Sequence, residues 1–229
     1  MIIFGVGQIA EVAHFYLTND SEHEVVAFTV DKEFLKKVTF HDLPVVAYEE
    51  MLEKYPPNEY KLFIPISYKK VNKLRAEKFE DAKSKGYKFI SYISSKATYY
   101  NTPIGENCFI FENNVIQPFT KIGDNCILWS GNHIGHHTTI EDHCFLASHV
   151  VISGNVHIGS FSFFGVNSTI SDNVNIGKSN VIGAGAIIYK NTEYKNSFSL
   201  IKTISIAGVF GILFGIFYVM ISSAILNRN

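Results

Sequence analysis

Six of the nine histidines fall in one stretch: His133, His136, His137, His143, His149 and His157. Imidazole offers two chemistries, ligating zinc through a neutral ring nitrogen or moving a proton near neutral pH. On the first reading, rings from neighbouring turns of the chain or from neighbouring subunits hold zinc in a hydratase. On the second, one outward histidine takes a proton from an amine or hydroxyl, and the others are ordinary polar surface residues. A third chemistry sits at the start of the chain. Gly5-Val6-Gly7-Gln8-Ile9-Ala10 follows an apolar run and opens a helical stretch, Gln8 to Leu17, so its backbone amides would meet a phosphate at a helix N-terminus. The same pattern also occurs in plain strand-to-helix turns. Asp31 lies 24 residues past Gly7, at the end of the second apolar run, where a carboxylate would meet a ribose or base.

Positioning these groups falls to two differently patterned regions. From Ile104 to Ile188 every sixth residue is large and apolar: Ile104, Ile110, Ile116, Ile122, Leu128, Ile134, Ile140, Leu146, Ile152, Ile158, Phe164, Ile170, Ile176, Ile182 and Ile188. A helix repeats near 3.6 and a strand at 2, so a period of six means a short side, a corner and another side. Three sides close one 18-residue coil of a parallel β-helix, and about five coils are expected. The residue two before each apolar one, from Thr102 and Cys108 to Asn180 and Ala186, is small or medium, as a narrow interior requires. Glycine follows the apolar residue at 105, 123, 135, 159, 165, 177 and 183, where a corner needing unusual φ would favour it. Coil neighbours lie 18 apart. No two of the six clustered histidines differ by 18, whereas Cys108, Cys126 and Cys144 do and should stack as a small-residue ladder rather than as a metal or redox site.

Residues 1–95 alternate apolar runs, Ile2 to Phe4, Val25 to Val30, Leu62 to Ile66 and Phe89 to Ile93, with helical stretches. This predicts a small Rossmann-like parallel α/β domain ahead of a β-helix domain over 96–195. A net charge of −1 gives no sign of a nucleic-acid partner. Residues 204–226 form an uncharged run long enough to span a bilayer as a single helix. Lys190, Lys195 and Lys202 precede it and Arg228 follows, so the β-helix is expected in the cytoplasm, tail-anchored to the cytoplasmic face of the inner membrane. No signal peptide is read at the N-terminus, which agrees with a reducing compartment for the three cysteines.

The runs Asn132-His133-Ile134-Gly135-His136-His137-Thr138-Thr139-Ile140 and Ser148 to Val156, continuing through Phe164 to Ser168 and Ile182 to Ala186, resemble the sugar acyltransferases related to sialic-acid O-acetyltransferase and bacillosamine N-acetyltransferase. The resemblance covers about 190 residues and includes the first domain. It implies a left-handed β-helix, a homotrimer with sites between subunits, acetyl-CoA as co-substrate, no metal, and a first domain that grips a nucleotide-activated sugar. It places His136 as general base and Gly154 as the donor to the acetyl carbonyl, a pair the 18-residue coil also sets side by side. Asn167, Gly183, Ala184 and Gly185 would lie along acetyl-CoA; Gly5, Gly7, Asp31, Ser67 and Tyr68 would contact the nucleotide-sugar. Three departures stand out: His137 occupies the place where some relatives carry an acid beside the base, Phe145 stands where some carry a second histidine, and near Lys195 the chain leaves the soluble segment with which relatives usually close the last coil against CoA. His137, His133 and His149 are supporting candidates. The expected activity is acetyl transfer to an amino-sugar nucleotide in bacterial lipopolysaccharide or O-antigen synthesis. Sugar O-acetylation, a zinc hydratase of the β-helical carbonic anhydrase type, and a non-catalytic nucleotide-sugar-binding scaffold are the alternatives.

Overall fold

A computed structural model describes residues 1–193. The segment 204–226 lies outside the described residues, among which no helix is long and apolar enough to cross a membrane.

The first domain is built on β1 (Ile2–Phe4), α1 (Gln8–Asn19), β2 (Ala27–Val30), β3 (Thr39–Phe40), β4 (Leu43–Ala47), α2 (Met51–Lys54), β5 (Leu62–Phe63) and α3 (Lys73–Ser84). Strand order is β3-β4-β2-β1-β5, parallel except for the β3–β4 hairpin. That hairpin turns on His41 and Asp42, both at positive φ as a two-residue turn demands. α1 buries Ala10, Ala13 and Leu17, one apolar stripe at helical spacing. The chain runs outward from β1 to β2 and β4, then returns to the other side of β1 for β5. The order therefore reverses between β1 and β5, and the loops after these two strands flank the crevice where ligands bind in such sheets.

The remaining described residues wind into a parallel β-helix with six rungs on each side. Side one carries Phe109–Ile110, Ile127–Leu128, Phe145–Leu146, Phe163–Phe164 and Val181–Ile182; side two carries Val115–Ile116, His133–Ile134, Val151–Ile152, Thr169–Ile170 and Ile187–Ile188. Side three carries Lys121–Ile122, Thr139–Ile140, His157–Ile158 and Asn175–Ile176, extended by single bridges at Ile104 and Thr192. The first rungs of sides one and two are Tyr92–Ile93 and Thr98–Tyr99, which pair with Phe109–Ile110 and Val115–Ile116. The β-helix thus begins inside the stretch expected to close the α/β domain. Of the run Phe89 to Ile93, only Phe89 bridges to Leu62. This opening coil is one residue short, so the hexad beat does not reach it, and the expected count of five coils becomes six rungs per side. The hexad residues point inward, all but Ile104 buried, and the small residues beside them are buried too.

Positive φ recurs every six residues, but three places after the apolar residue rather than one. The corners are Asn101, Asn107, Asn113, Phe119, Asn125, Gly131, His137, His143, His149, Asn155, Phe161, Asn167, Asn173, Ser179 and Gly185. Asparagine and histidine are among the residues that tolerate this region best, so three of the six clustered histidines sit at corners. The glycines that follow the apolar residues serve a different need from the one expected. A Cβ on Gly135 would stand 2.4 Å from Ser153 C and 2.6 Å from Gly154 N, and one on Gly165 would stand 2.5 Å from Ala184 N. Successive coils approach there too closely for a side chain.

The two domains share a core. Phe109, Phe111, Ile127 and Phe145, on the outside of side one, pack with Ala10, Ala13, Leu17, Phe28 and Phe63. Asp20, at the end of α1, accepts hydrogen bonds from Tyr92 Oη, Ser94 Oγ and Ser95 N, which hold its carboxyl far below the usual range and pin the start of the β-helix. Asn107, Asn125 and His143 stack at the corner between sides three and one: Asn107 donates to Asn125 Oδ1 at 2.8 Å, and Asn125 Nδ2 lies 2.9 Å from His143 Nδ1. Burial pushes the His143 imidazole down to about 4. Its folded value is thus below the usual 6.5, the unfolded chain binds the extra proton between the two, and the stability this neutral ring contributes is complete above about 6.5 and lost as pH falls toward 4. His143→Asn suits the corner and removes the titration. The variant should show a shallower loss of thermal unfolding midpoint from pH 7 to pH 4 than the native protein; equal slopes would contradict this linkage.

Candidate active site

His136 sits two residues beyond Ile134, at the corner between sides two and three. Its backbone is tied on both faces: His136 N donates to Gln117 Oε1 at 2.9 Å, and His136 O accepts from Asn155 N at 2.8 Å. The ring lies directly over Gly154 in the next coil. A Cβ at 154 would come within 2.7 Å of Cε1 and 2.8 Å of Nε2, so this ring position requires glycine there. Among the described residues the half-exposed Gly154 N–H has no acceptor. An exposed imidazole and a backbone donor with no partner among the described residues therefore lie at one corner, and such a pair has the chemistry to take a proton beside a donor for developing negative charge on oxygen. His137 follows at the corner with φ 57°, its Nδ1 3.0 Å from Nδ1 of His136.

Two supporting candidates stand elsewhere. His133 lies on the outside of side two, in register with Val115 and Val151. His149 occupies the corner between sides one and two, its ring over Gly131 as the ring of His136 lies over Gly154. Neither bonds to the His136 ring. Asn167 and Gly185 continue the His149 column one and two coils on, with exposed Gly183 and Ala184 beside them. Within one chain the structure brings His136 to Gly154 and His137, and Asn167 to the Gly183–Gly185 stretch, but places the two groups at different corners. Phe145 is nowhere near His136. It is buried on side one beneath Tyr68, ring centroids 5.0 Å apart.

The first-domain candidates gather where β1 and β5 end. Gly5 has φ 109° and donates to Thr29 O at 2.7 Å, a backbone state suited to glycine. Gly7 precedes α1, and a Cβ there would meet nothing within 4 Å, so the space beside it is open. Ser67 and Tyr68 follow β5, and the Tyr68 ring rests on Phe145 and Phe163. Asp31 is not presented as a free carboxylate: Lys78 of α3 pairs with it, the ammonium lying over the Phe4 and Tyr48 rings. Among the described residues no cluster of histidine, cysteine or carboxylate side chains could hold a metal ion.

Three residues that sequence reasoning passed over position this arrangement. Gln117 holds the backbone of His136. Arg75 and Asn72, both fully buried, hold the Ser67–Tyr68 loop against the coils. Asn72 Nδ2 donates to Phe161 O and Ser162 O, and Arg75 donates from Nη1 to Ile66 O, Ser67 O and Asn72 Oδ1. The loop turns through three consecutive residues at positive φ, Lys70, Val71 and Asn72. Each costs about 1 kcal/mol or more, least at the asparagine and most at the β-branched valine. No periodic signal marks such a turn; a lysine pair followed by valine and asparagine reads as an ordinary helix lead-in.

Comparison with known proteins agrees with this architecture. The family described as bacterial transferase hexapeptide (six repeats) matches residues 101–136 and 120–154. A variant of perosamine N-acetyltransferase from Caulobacter crescentus, solved with CoA and GDP-perosamine, is similar over 84% of this chain and 89% of its own, with 23% identity and a TM-score of 0.73. The acetyltransferase domain of PglB from Neisseria gonorrhoeae, solved with acetyl coenzyme A, is similar over 84% and 91%, with 21% identity and a TM-score of 0.73. WeeI from Acinetobacter baumannii is similar over 84% and 92%, with 19% identity and a TM-score of 0.70. No curated protein matches the chain in sequence. These likenesses establish a shared fold: an α/β domain followed by a β-helix.

Asn72→Gly tests the bracing of the loop, because glycine suits a φ of 65° better than asparagine and removes only the side-chain bonds. Leaving the Phe161 and Ser162 carbonyls and the Arg75 fork short of a partner should lower the unfolding free energy by about 1–3 kcal/mol in chemical denaturation. A variant as stable as the native protein would show that the loop stands without this brace.

Proposed function

We propose that the protein is an acetyl-CoA-dependent N-acetyltransferase acting on the amino group of a nucleotide-linked sugar in bacterial surface-glycan synthesis. The observation that carries this reading is the His136 ring seated over Gly154, whose N–H is unpaired among the described residues. As the acceptor amine attacks the thioester carbonyl, a C–N bond forms and the amine's proton passes to Nε2 of His136. Negative charge grows on the carbonyl oxygen, where the Gly154 N–H donates to it; one such donor contributes roughly 3–4 kcal/mol when removed elsewhere. Collapse of the tetrahedral species breaks the C–S bond, and the departing CoA thiolate takes the proton from His136. Base, amide and product are then restored with every proton accounted for.

The comparisons support the substrates, since the similar proteins are described as acetyltransferases and were solved with CoA, acetyl-CoA or GDP-perosamine. Gly5, Gly7, Ser67 and Tyr68, at the reversal of strand order, would receive the nucleotide. Asp31 would contribute only through its pair with Lys78. The corner bearing Asn167, Gly183, Ala184 and Gly185 would receive the pantetheine arm.

Within a single chain His136 stands at the corner opposite side one, the side the first domain covers. A nucleotide-sugar held by that domain reaches a His136 only if a neighbouring subunit supplies it. Side two provides a surface for such a neighbour: its outward residues Val115, Val151 and Ile187 are exposed and apolar, and only His133 among the described residues of that row can carry charge. We therefore read the active form as a homotrimer of left-handed β-helices with sites between subunits. Residues 204–226 would attach it to the cytoplasmic face of the membrane.

Mass spectrometry of amino-sugar and hydroxyl-sugar nucleotides incubated with protein and acetyl-CoA tests the reaction. A gain of one acetyl group on an amino-sugar nucleotide is expected, with at least a hundredfold loss of kcat/KM, roughly, in His136→Ala. Retained turnover in that variant would exclude the mechanism, and acetylation confined to sugars lacking an amine would assign O-acetylation. Turnover abolished by chelator, or no affinity for acetyl-CoA by calorimetry, would point to the zinc or scaffold reading.

A further inference from the structure

The contact between the two adjacent histidines joins Nδ1 to Nδ1, 3.0 Å apart. Only one proton fits between them, so one ring donates and the other accepts. If His137 donates, His136 carries its proton on Nε2, which then cannot accept another. In that arrangement Nε2–H and the unpaired Gly154 N–H would also bring two donors to the same corner with no acceptor between them. If His136 donates, its Nε2 lone pair faces the corner where Gly154 N–H is the donor, and base and donor are complementary.

We propose that His137 is a positioning residue: by accepting the Nδ1 proton of His136 it fixes the tautomer in which Nε2 is the free base. This rests on the reading of His136 as general base. When His136 takes the acceptor's proton on Nε2, its Nδ1–H stays bonded to His137 Nδ1 and the new charge meets an oriented lone pair instead of bulk water. The second ring is itself held. Its backbone is locked at a corner with φ 57°, His137 N donates to Pro118 O, and the Phe119 ring lies against it, centroids 4.7 Å apart. A neutral imidazole thus fills the role of orienting acceptor without adding a negative charge beside the thioester.

The corner column supplies variants that separate fold from chemistry. Asn155 and Asn173 occupy the next two corners of the same column, and Gly131 and Gly185 occupy corners of another, so both residue types are compatible with position 137. Asparagine also carries Oδ1 on Cγ, where histidine carries Nδ1, and so keeps an acceptor in place. His137→Gly should lower kcat about ten- to hundredfold with the KM of both substrates nearly unchanged, and His137→Asn should recover most of that loss. In ¹⁵N-histidine NMR of the native protein without substrates, His136 should be protonated on Nδ1 and bare on Nε2. In His137→Gly it should revert to the Nε2–H form an unpartnered neutral imidazole prefers. A kcat of His137→Gly equal to that of the native protein, an asparagine variant no better than the glycine one, or a native His136 protonated on Nε2 would each overturn the proposal. The NMR arm needs no turnover, so it judges the dyad even if the acetyl-transfer reading fails.

Discussion

The guanidinium of Arg75 is the joint on which both halves of this protein hang. It is completely buried, has no carboxylate partner among the described residues, and is satisfied by backbone carbonyls and one amide oxygen: Ile66 O, Ser67 O and Asn72 Oδ1 from its own domain, Asn125 O, His143 O and Cys144 O from the β-helix. Burial brings it down only to about 10, so it stays charged at neutral pH. A buried charge is tolerable only when its donors are filled, and here the fork can be filled only with the domain seated on two successive coils. A hydrophobic interface alone would permit sliding along the aromatic column of side one. The planar fork of Arg75 fixes the register and, through Ile66 and Ser67, aims the loop after β5.

The coil imposes the other constraint. Each side is only two residues of strand, and a turn through the left-handed region is needed every sixth residue. This requirement sorts the residues by backbone tolerance before any chemistry is chosen, which is why asparagine dominates the corners and why His137, His143 and His149 stand where they do. The apparent density of histidine is therefore partly conformational. His143 shows the consequence: it is buried at the domain joint, neutral, and bonded to Asn125, with no share in the candidate site.

The six-residue beat and its 18-residue coil were fully legible in the sequence, including the stacking of Cys108, Cys126 and Cys144 and the seating of His136 over Gly154. Both depend on translation along the axis, which a period encodes directly. What stayed hidden depends on groups that break the period or lie across domains. The glycines after the apolar residues look like corner residues because glycine is the usual left-handed residue, yet inter-coil contact is what selects them. The opening coil, starting at Tyr92, is one residue short and carries no hexad mark. Arg75 lies in a polar helix, and only the fold shows that its side chain is covered. Asp31 sits at the right distance from Gly7 for a ribose contact, and Lys78, 47 residues later, takes its carboxylate.

Placing the candidate groups at separate corners has a mechanistic consequence. In one chain, side one carries the first domain, the corner after it carries Asn167 and Gly185, and the corner after side two carries His136 and Gly154. On the proposed reading, no chain can contribute both the nucleotide-binding loops and the base to the same site, because a full side of the β-helix separates them. Catalysis then depends on the relative height of two coils along neighbouring axes. That height would be set within each chain by the register Arg75 imposes and, in the proposed trimer, between chains by the exposed valines and isoleucine of side two. A shift of one coil would move His136 by the spacing of parallel strands, roughly 4.8 Å, past the range over which a base can take a proton. On that reading, the joint that fixes the first domain would also be the ruler that sets a bound sugar against a neighbour's base.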